Sequence, residues 1–584
     1  MTAARPSLPA DRLPLVVGVT GHSDVSEGDL PRLRRCVEEF FDLQRRRYPD
    51  TPLAVLSALN EGAERLATRA ALERGIPLIA VLPRARGEHL AAIADPDSRQ
   101  ELEKLLDRAA LVVELAGASP SEVSAFLVRH NQVLLCMWDA RPGREPGTPA
   151  EVVHFQECGP PPPGGPTGCA LEAADGGLVH PVITPRAGGP EPLGRTFSTP
   201  ERPWGGKEDG RRRAARAVYR QVCKNINEFN RDTEPLRSRL APARGASGEY
   251  LLPEARRRDL PSVVRGPVEA LLNRYATADA LALYFQRKVR LWQPVLFAVA
   301  FLAAYAFYLS YLHPEWRWAR LGYPAVAGAG FLAYQWVRWR RYQSKYLDYR
   351  GLAEALRVQF FWRLGGVGES AAENYLPLQW SDLRWIRAAV RTCDLLAGGQ
   401  RPPAGEAVPG RWSLLHDHWV ADQRDYFDRR GVPRDEAKLL RLRACAWALI
   451  AFGGLWVLWR GLGGPVGWLP GPDEAVPRWL GLGEAGANAF HYLSVLFGLG
   501  TVGGFLILTY IRSRGLQEHL KQYKRMREIY RAAGERLAGL IERQPADDAE
   551  AEALVLRLGR EALAENAHWV LLHRDRPIEV PRVL

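Results

Sequence analysis

Residues suited to holding a phosphorylated ligand recur in this sequence where short apolar runs end. The first case is LVVGVTGHSDV, Leu15 to Val25. Gly18 and Gly21 let a backbone pass close to a ligand, and main-chain N–H groups after a strand can cradle an anion. Thr20 and His22 offer further donors. The pattern is unspecific alone, because neither GxGxxG nor GxxxxGK[ST] follows the run, and many such turns are plain tight connections. The one GxGxxG, GLGEAG from Gly481 to Gly486, has no strand ahead of it and is a chance match.

A second case is SALNEGAERLATRAA, Ser57 to Ala71. Ser57 ends an apolar run, Asn60 adds an amide, and Gly62 allows another close approach. The helix that follows directs its positive dipole end to the same place. Glu61 and Glu64 either accept hydrogen bonds from ribose hydroxyls or merely favour a helix N-terminus. After LIAVLP, Arg84 is a cation for phosphate or an ordinary solvated side chain. The last case is CMWDARPGREPGTPAEVV, Cys136 to Val153, with Asp139 at a strand end and Gly147-Thr148 opening a helix. The expected ligand-binding set is therefore Gly18, Thr20, Gly21, His22, Ser57, Asn60, Glu61, Gly62, Glu64, Arg84, Asp139, Gly147 and Thr148.

These residues need a scaffold that brings strand ends together. Strands are expected at Leu15–Val19, Leu53–Ser57, Pro77–Leu82, Leu111–Leu115 and Val133–Trp138, with helical stretches such as Leu30–Arg46 and Gly62–Arg74 between them. Such alternation gives a parallel sheet covered by helices, with ligands at the carboxyl ends of its strands. GLVHPVITPR (177–186) suggests a late edge strand. PPPPGGP (160–166) reads as a loop and 187–210 as a linker.

From 211 to 290 the pattern is helical and charged. Four runs free of Asp, Glu, Lys and Arg follow, at Leu291–Leu312, Leu321–Val337, Ala444–Trp459 and Phe490–Ile511. Trp292, Trp316, Trp318, Trp336, Trp339, Trp456, Trp459 and Trp468 flank them as an interfacial belt would. The second and third runs are short for a span, and buried hairpins are the alternative. Arg287, Lys288, Arg290, Arg338, Arg340, Arg341, Lys345, Arg441, Arg443, Arg512 and Arg514 sit at one side of the runs. The positive-inside rule then places both termini and residues 342–443 in the cytoplasm, with hairpins at 291–341 and 444–512 and C-terminal helices over 513–584. The halves repeat a Y-R-x-x-x-E-x-L pattern, YRGLAEAL from Tyr349 and YRAAGERL from Tyr530. Arg350 and Glu354, like Arg531 and Glu535, are four apart on a helix face. They are surface pairs or parts of cytosolic helical stalks. The expected fold class is an α/β Rossmann-like N-terminal domain over 13–186 plus an α-helical transmembrane region with four spans.

Composition agrees with a membrane protein better than with a nucleic-acid reader. The net charge of +12 arises from 78 Lys and Arg against 66 Asp and Glu, but the clusters sit beside apolar runs rather than along an aromatic-lined groove. Seven scattered cysteines without a CxxC pair suggest a reducing compartment, and no signal peptide opens the chain. His416 and His418 lack further ligands at metal-binding spacing.

The motifs GVTGH, SALNEGAERL, VLP and WDARPGREPGTPAEVV resemble the SLOG superfamily, Rossmann-like domains related to lysine-decarboxylase-like LOG proteins and to the N-terminal region of melastatin-type channels. YRGLAEALR, WIRAAVR, WVADQRDYF, HLKQYKRM and EALAENAHWVLLHRDRP resemble SLATT-type membrane effectors, which pair with SLOG domains in bacterial conflict systems. The resemblance covers about 13–186 and 265–580. It implies a sensor of a nucleotide-derived second messenger, an ADP-ribose derivative or cyclic nucleotide, with no other cofactor. Its effector half would open or disrupt the inner membrane as a homo-oligomer. Ser23 stands where Arg often follows the family's His, Glu64 replaces a usual Asp, and Arg144-Glu145-Pro146 interrupts the usual glycine pair. The alternative is a nucleotide-processing enzyme: Glu151 in GTPAE is spaced to act on a ribosyl bond, as in LOG-type phosphoribohydrolases. Transport is a third reading, for which charge-free spans offer no ion relay.

Overall fold

In the computed structural model, described residues are 10–143, 145–159, 177–199, 210–312, 316–376, 379, 381–398, 408–463, 470–543 and 548–574. The expected loop at 160–166 and Trp468 lie outside them.

The N-terminal part is a Rossmann-like sheet of six parallel strands: β1 (Leu15–Gly21), β2 (Leu53–Ser57), β3 (Leu78–Leu82), β4 (Leu111–Glu114), β5 (Val133–Trp138) and β6 (Leu178–Ile183). Each central strand is buried along its whole length and apolar but for Thr20 and Ser57 near the carboxyl ends of β1 and β2, as a parallel strand covered on both faces must be. The order is β4-β3-β2-β1-β5-β6. The chain thus builds outward from β1 to β4, then returns to start β5 on the other side of β1. That reversal is the topological switch point, where open α/β sheets bind ligands. The late strand expected near 177–186 is β6, paired in parallel with β5.

Five helices of ten residues or more accompany the sheet: α1 (Leu30–Arg47), α2 (Ala63–Glu73), α3 (Pro96–Arg108), α4 (Pro120–His130) and α5 (Pro149–Cys158). Within the expected linker 187–210, residues 197 and 198 bond to the sheet. Phe197 N–H donates to Ile183 O at 2.8 Å and Ile183 N–H to Ser198 O at 3.1 Å, which lays this stretch back along β6.

The remainder is helical: α6 (Gly210–Leu251), α7 (Ser262–Leu312), α8 (Arg317–Trp339), α9 (Tyr342–Gly365), α10 (Arg384–Leu396), α11 (Val432–Gly463), α12 (Glu484–Gly498), α13 (Gly500–Ser513), α14 (Leu516–Glu542) and α15 (Asp548–Arg574). The chain divides into two compact units, and neither is continuous in sequence. The first holds 1–281, 349–415 and 545–567; the second holds 282–348, 416–544 and 568–584. The expected cytosolic segment 342–443 is therefore shared between them.

In the first unit, α9 and α15 meet closely. Trp362 is fully buried and its Nε1 donates to Val555 O at 3.2 Å. Arg350 of the YRGLAEAL motif bonds Asp279 at 2.9 Å and pairs with Glu354. The matching Arg531, in the second unit, instead reaches Asp428 at 3.1 Å and Glu528 at 3.4 Å.

Three segments of the described chain are long and apolar enough to cross a membrane: Ser262–Tyr311, Arg411–Gly463 and Ser494–Ser513. α8, the counterpart of the second expected span, is a helix but falls outside this group. Only 11, 17 and 33% of the residues in the three apolar windows are buried, so most of that apolar surface faces outward. Phe307, Phe331, Leu455 and Phe505 are all more than half exposed. In the second unit, α11 and α13 pack through small residues: a Cβ on Gly453 would lie 2.6 Å from Thr501 N, and one on Gly504 2.6 Å from Ala446 O. Close backbone approach of this kind is how helices associate where no water drives them together.

Candidate functional site at the carboxyl edge of the sheet

Gly18, Thr20 and Gly21 were expected to form the turn, but all three belong to β1. Gly18 stands opposite Leu56 and Leu134, Thr20 opposite Cys136 and Gly21 opposite Met137. The space beside the two glycines holds protein. A Cβ on Gly18 would lie 2.7 Å from Asn131 Nδ2; one on Gly21 would lie 2.7 Å from Ala63 Cβ and 3.0 Å from Met137 O. These glycines admit the Asn131 side chain and the start of α2.

The turn begins at His22, which joins three elements. Its N–H donates to Met137 O at 3.0 Å, and its carbonyl accepts from Ala63 N–H at 3.0 Å. Its Nε2 accepts from Asp139 N–H at 3.0 Å and lies 3.4 Å from Asp139 Oδ1. An accepting Nε2 puts the ring proton on Nδ1. Burial lowers the His22 pKa, and Asp139 opposes that shift. The Asp139 Oδ1 also accepts from Arg141 N–H at 3.1 Å. Between them Ala140, fully buried, takes φ 60°.

On the other flank of β1 a buried carboxyl gathers polar groups. Ser57 Oγ donates to Glu64 Oε2 at 3.2 Å, Asn60 N–H to the same oxygen at 3.2 Å, and Asn60 Nδ2 to Oε1 at 3.1 Å. Thr20 also hydrogen-bonds Glu64 through its side chain. Burial pushes Glu64 up to about 7 although each of these bonds opposes it. The turn above is strained. Leu59 has φ 59° and Gly62 φ 74°, and a Cβ on Gly62 would lie 2.8 Å from His22 O. Left-handed residues bearing a Cβ cost of order 1–3 kcal/mol each and concentrate at functional sites; Leu59 and Ala140 stand after the two neighbours of β1.

Sequence reasoning missed Arg65. Its Nε donates to Leu59 O at 3.1 Å, and its Nη1 donates to Ser98 O at 3.0 Å, Ser98 Oγ at 2.8 Å and Glu101 at 3.1 Å. At 3% exposure it is the clamp that holds the strained turn to the first turn of α3. The signal available was its place one residue after Glu64, in the first turn of α2. Glu61 is drawn to the same helix, accepting from Ser98 Oγ, so its carboxylate is engaged within the fold.

Arg84 is exposed beyond β3 and forms no ion pair with a described residue. Gly147 and Thr148 open α5. Gly147, at φ 77°, donates its N–H to Glu151 Oε2 at 2.8 Å, and Thr148 caps the helix. Ser121 Oγ donates to Glu151 Oε1 at 2.6 Å. Glu151 Oε1 thus joins α5 to α4 while Oε2 closes the turn that opens α5, and Arg144 lies outside the described residues.

The structure therefore brings His22, Asp139, Thr20, Ser57, Asn60 and Glu64 to the end of β1, while Gly147 and Thr148 are held against α4. No metal-binding group of three His, Cys, Asp or Glu occurs among the described residues. Paired amide and carboxyl groups at a switch point suit recognition of hydroxyls and ring nitrogens more than a phosphate grip. No family model and no curated protein matches this chain, so its function is argued from its own residues.

Proposed function

We propose that this protein is a membrane effector of a bacterial anti-phage system, in which a nucleotide-derived second messenger bound at the carboxyl edge of the sheet triggers opening or disruption of the inner membrane. One observation carries the reading: a single chain combines a Rossmann-like sheet, with a strained polar cluster at its switch point, and three outward-facing apolar segments of membrane-crossing length. Asn60, Asp139 and Arg84 are the groups offered to the ligand; Glu64 positions Asn60, and His22 positions Asp139.

The spans contribute the output. With α8 as a further crossing, four spans form two hairpins, both termini are cytoplasmic, and the basic residues at the helix ends face inward. Apolar spans enclose no polar path singly, so several copies of the chain assemble around the lesion. A messenger gates this assembly only by binding one state better than the other. Calorimetry on the full-length protein in detergent tests the first half, using ADP-ribose, cyclic ADP-ribose and cyclic dinucleotides as probes. Binding of one probe, weakened at least tenfold by Asn60→Ala, supports the site. Absence of binding across the panel contradicts the sensor.

A further inference from the structure

The first unit holds a second place of a different chemical character. A cavity of about 890 Å³ opens among α1, the starts of β5 and β6, and the N-terminal part of α6. Val133 and Leu178, the first residues of β5 and β6, line it, so it sits toward the amino end of the sheet, away from His22 and Asp139. Its volume is within the range of small-molecule sites, roughly 300–1,000 Å³.

Three guanidinium groups line it, Arg47, Arg216 and Arg220, against one carboxylate, Glu39. Arg47 and Arg220 are exposed and form no hydrogen bond or ion pair with a described residue. A solitary exposed arginine needs no explanation, but convergence on one concave surface does, because like charges are normally dispersed. His180 adds no fourth cation: burial holds it down to about 4, with Arg47 acting in the same direction. Its ring instead lies 4.6 Å from that of Phe40, and Phe197 supplies another aromatic face of the lining. Tyr48, the residue that caps the end of α1, hydrogen-bonds Cys223 of α6.

We propose that this cavity is a second ligand site, for a small molecule that joins phosphate groups to a planar ring, a nucleoside phosphate in chemical class. Arg47, Arg216 and Arg220 take the phosphates, for which the planar guanidinium offers paired donors. The partly buried His180 and Phe197 rings take the base, with Phe40 buried behind His180. The inference stands apart from the messenger site at the carboxyl edge and does not depend on it. Occupancy would fasten the N-terminal part of α6 to α1. Near its other end, α6 donates from Ser247 to Asp279 at 2.8 Å, and Asp279 also binds Arg350 at 2.9 Å. The ligand therefore acts on a helix that ends in a charged network.

The test is calorimetry of ADP on the full-length protein in detergent, with adenosine as the phosphate-free probe. ADP binding is expected to weaken at least tenfold in Arg47→Glu and in Arg220→Glu. Asn60→Ala, at the carboxyl edge, is expected to leave it unchanged, and adenosine is expected to bind at least tenfold more weakly than ADP. Both arginines are exposed, and an unchanged circular dichroism spectrum confirms that the variants fold. ADP should also slow alkylation of Cys36, a half-buried free thiol in the lining. No ADP binding by the wild-type protein overturns the proposal. So does ADP binding that Arg47→Glu and Arg220→Glu leave intact, that adenosine matches, or that leaves Cys36 unprotected. ADP binding lost only in Asn60→Ala overturns this site while supporting the one at the carboxyl edge.

Discussion

The main-chain N–H of Asp139 donates to Nε2 of His22 at 3.0 Å, tying the end of β5 to the residue that follows β1. With the His22 carbonyl accepting from Ala63, one residue locks three strand-to-helix connections together at the switch point. The bond exists only while the imidazole is neutral, since a protonated Nε2 has no lone pair to offer.

The closeness of these connections makes Gly62 far more demanding than other glycines with positive φ. Gly62→Ala must place a methyl 2.8 Å from His22 O at φ 74°. Gly75→Ala has the same backbone demand, φ 71°, but meets nothing within 4 Å. We expect Gly75→Ala to cost about 1 kcal/mol and Gly62→Ala more than about 3 kcal/mol by strain plus overpacking. Denaturant unfolding of the two variants checks this; equal costs would show that the approach of the two turns is slack.

Glu64 should impose a pH dependence on stability. Its pKa is raised from 4.5 to about 7 in the fold, so between these values the folded chain binds the extra proton. The stabilisation is complete below about 4.5 and is lost as pH rises through 7, a difference of about 3 kcal/mol. His180, lowered from 6.5 to about 4, has the opposite slope, losing stability as pH falls from 6.5 to 4. Glu64→Gln removes only the first slope. Melting curves from pH 5 to 8 should therefore show the variant gaining on wild type as pH rises, and parallel curves would place Glu64 in a wetter setting.

Arg65→Met should expose how much of the strained turn depends on its clamp. Removing the guanidinium leaves the Leu59 carbonyl and the Ser98 groups without that donor and is expected to cost about 2–4 kcal/mol. Messenger affinity should fall with it, while the spans still insert. Unchanged unfolding and affinity together would show that Leu59 keeps its left-handed backbone unaided.

Much of this arrangement was legible in the sequence, because parallel strands covered on both faces read as unbroken apolar runs. The five strands expected from Leu15 to Trp138 formed within two residues of their expected ends, and the late edge strand formed too, ending three residues short at Ile183. The site was less legible. Gly18 and Gly21 suggested a ligand turn, yet a strand that approaches Asn131 and Ala63 requires the same residue type. Arg65 was missed, since only the fold brings Ser98 beside it. The discontinuous first unit was hidden for a similar reason: α9 and α15 are far apart in sequence, and the fit of Trp362 beneath Val555 has no local signature.

The outward apolar surface predicts how the helices respond to charge. Leu455 is 68% exposed on α11, where a lipid-facing arginine costs about 2.5–3.5 kcal/mol on insertion scales. Leu455→Arg should reduce the fraction of protein resistant to carbonate extraction, whereas Arg84→Ala in the sheet domain should not. Equal extraction would remove α11 from the bilayer.

The central claim, that a ligand on the sheet domain opens the membrane, is tested most directly by flux. Full-length protein in dye-loaded liposomes is exposed to ADP-ribose, cyclic ADP-ribose and cyclic dinucleotides. Release is expected with the probe that binds, at concentrations following its affinity, and Asn60→Ala should shift that dependence at least tenfold. A probe that binds demonstrably yet releases no dye would contradict the account.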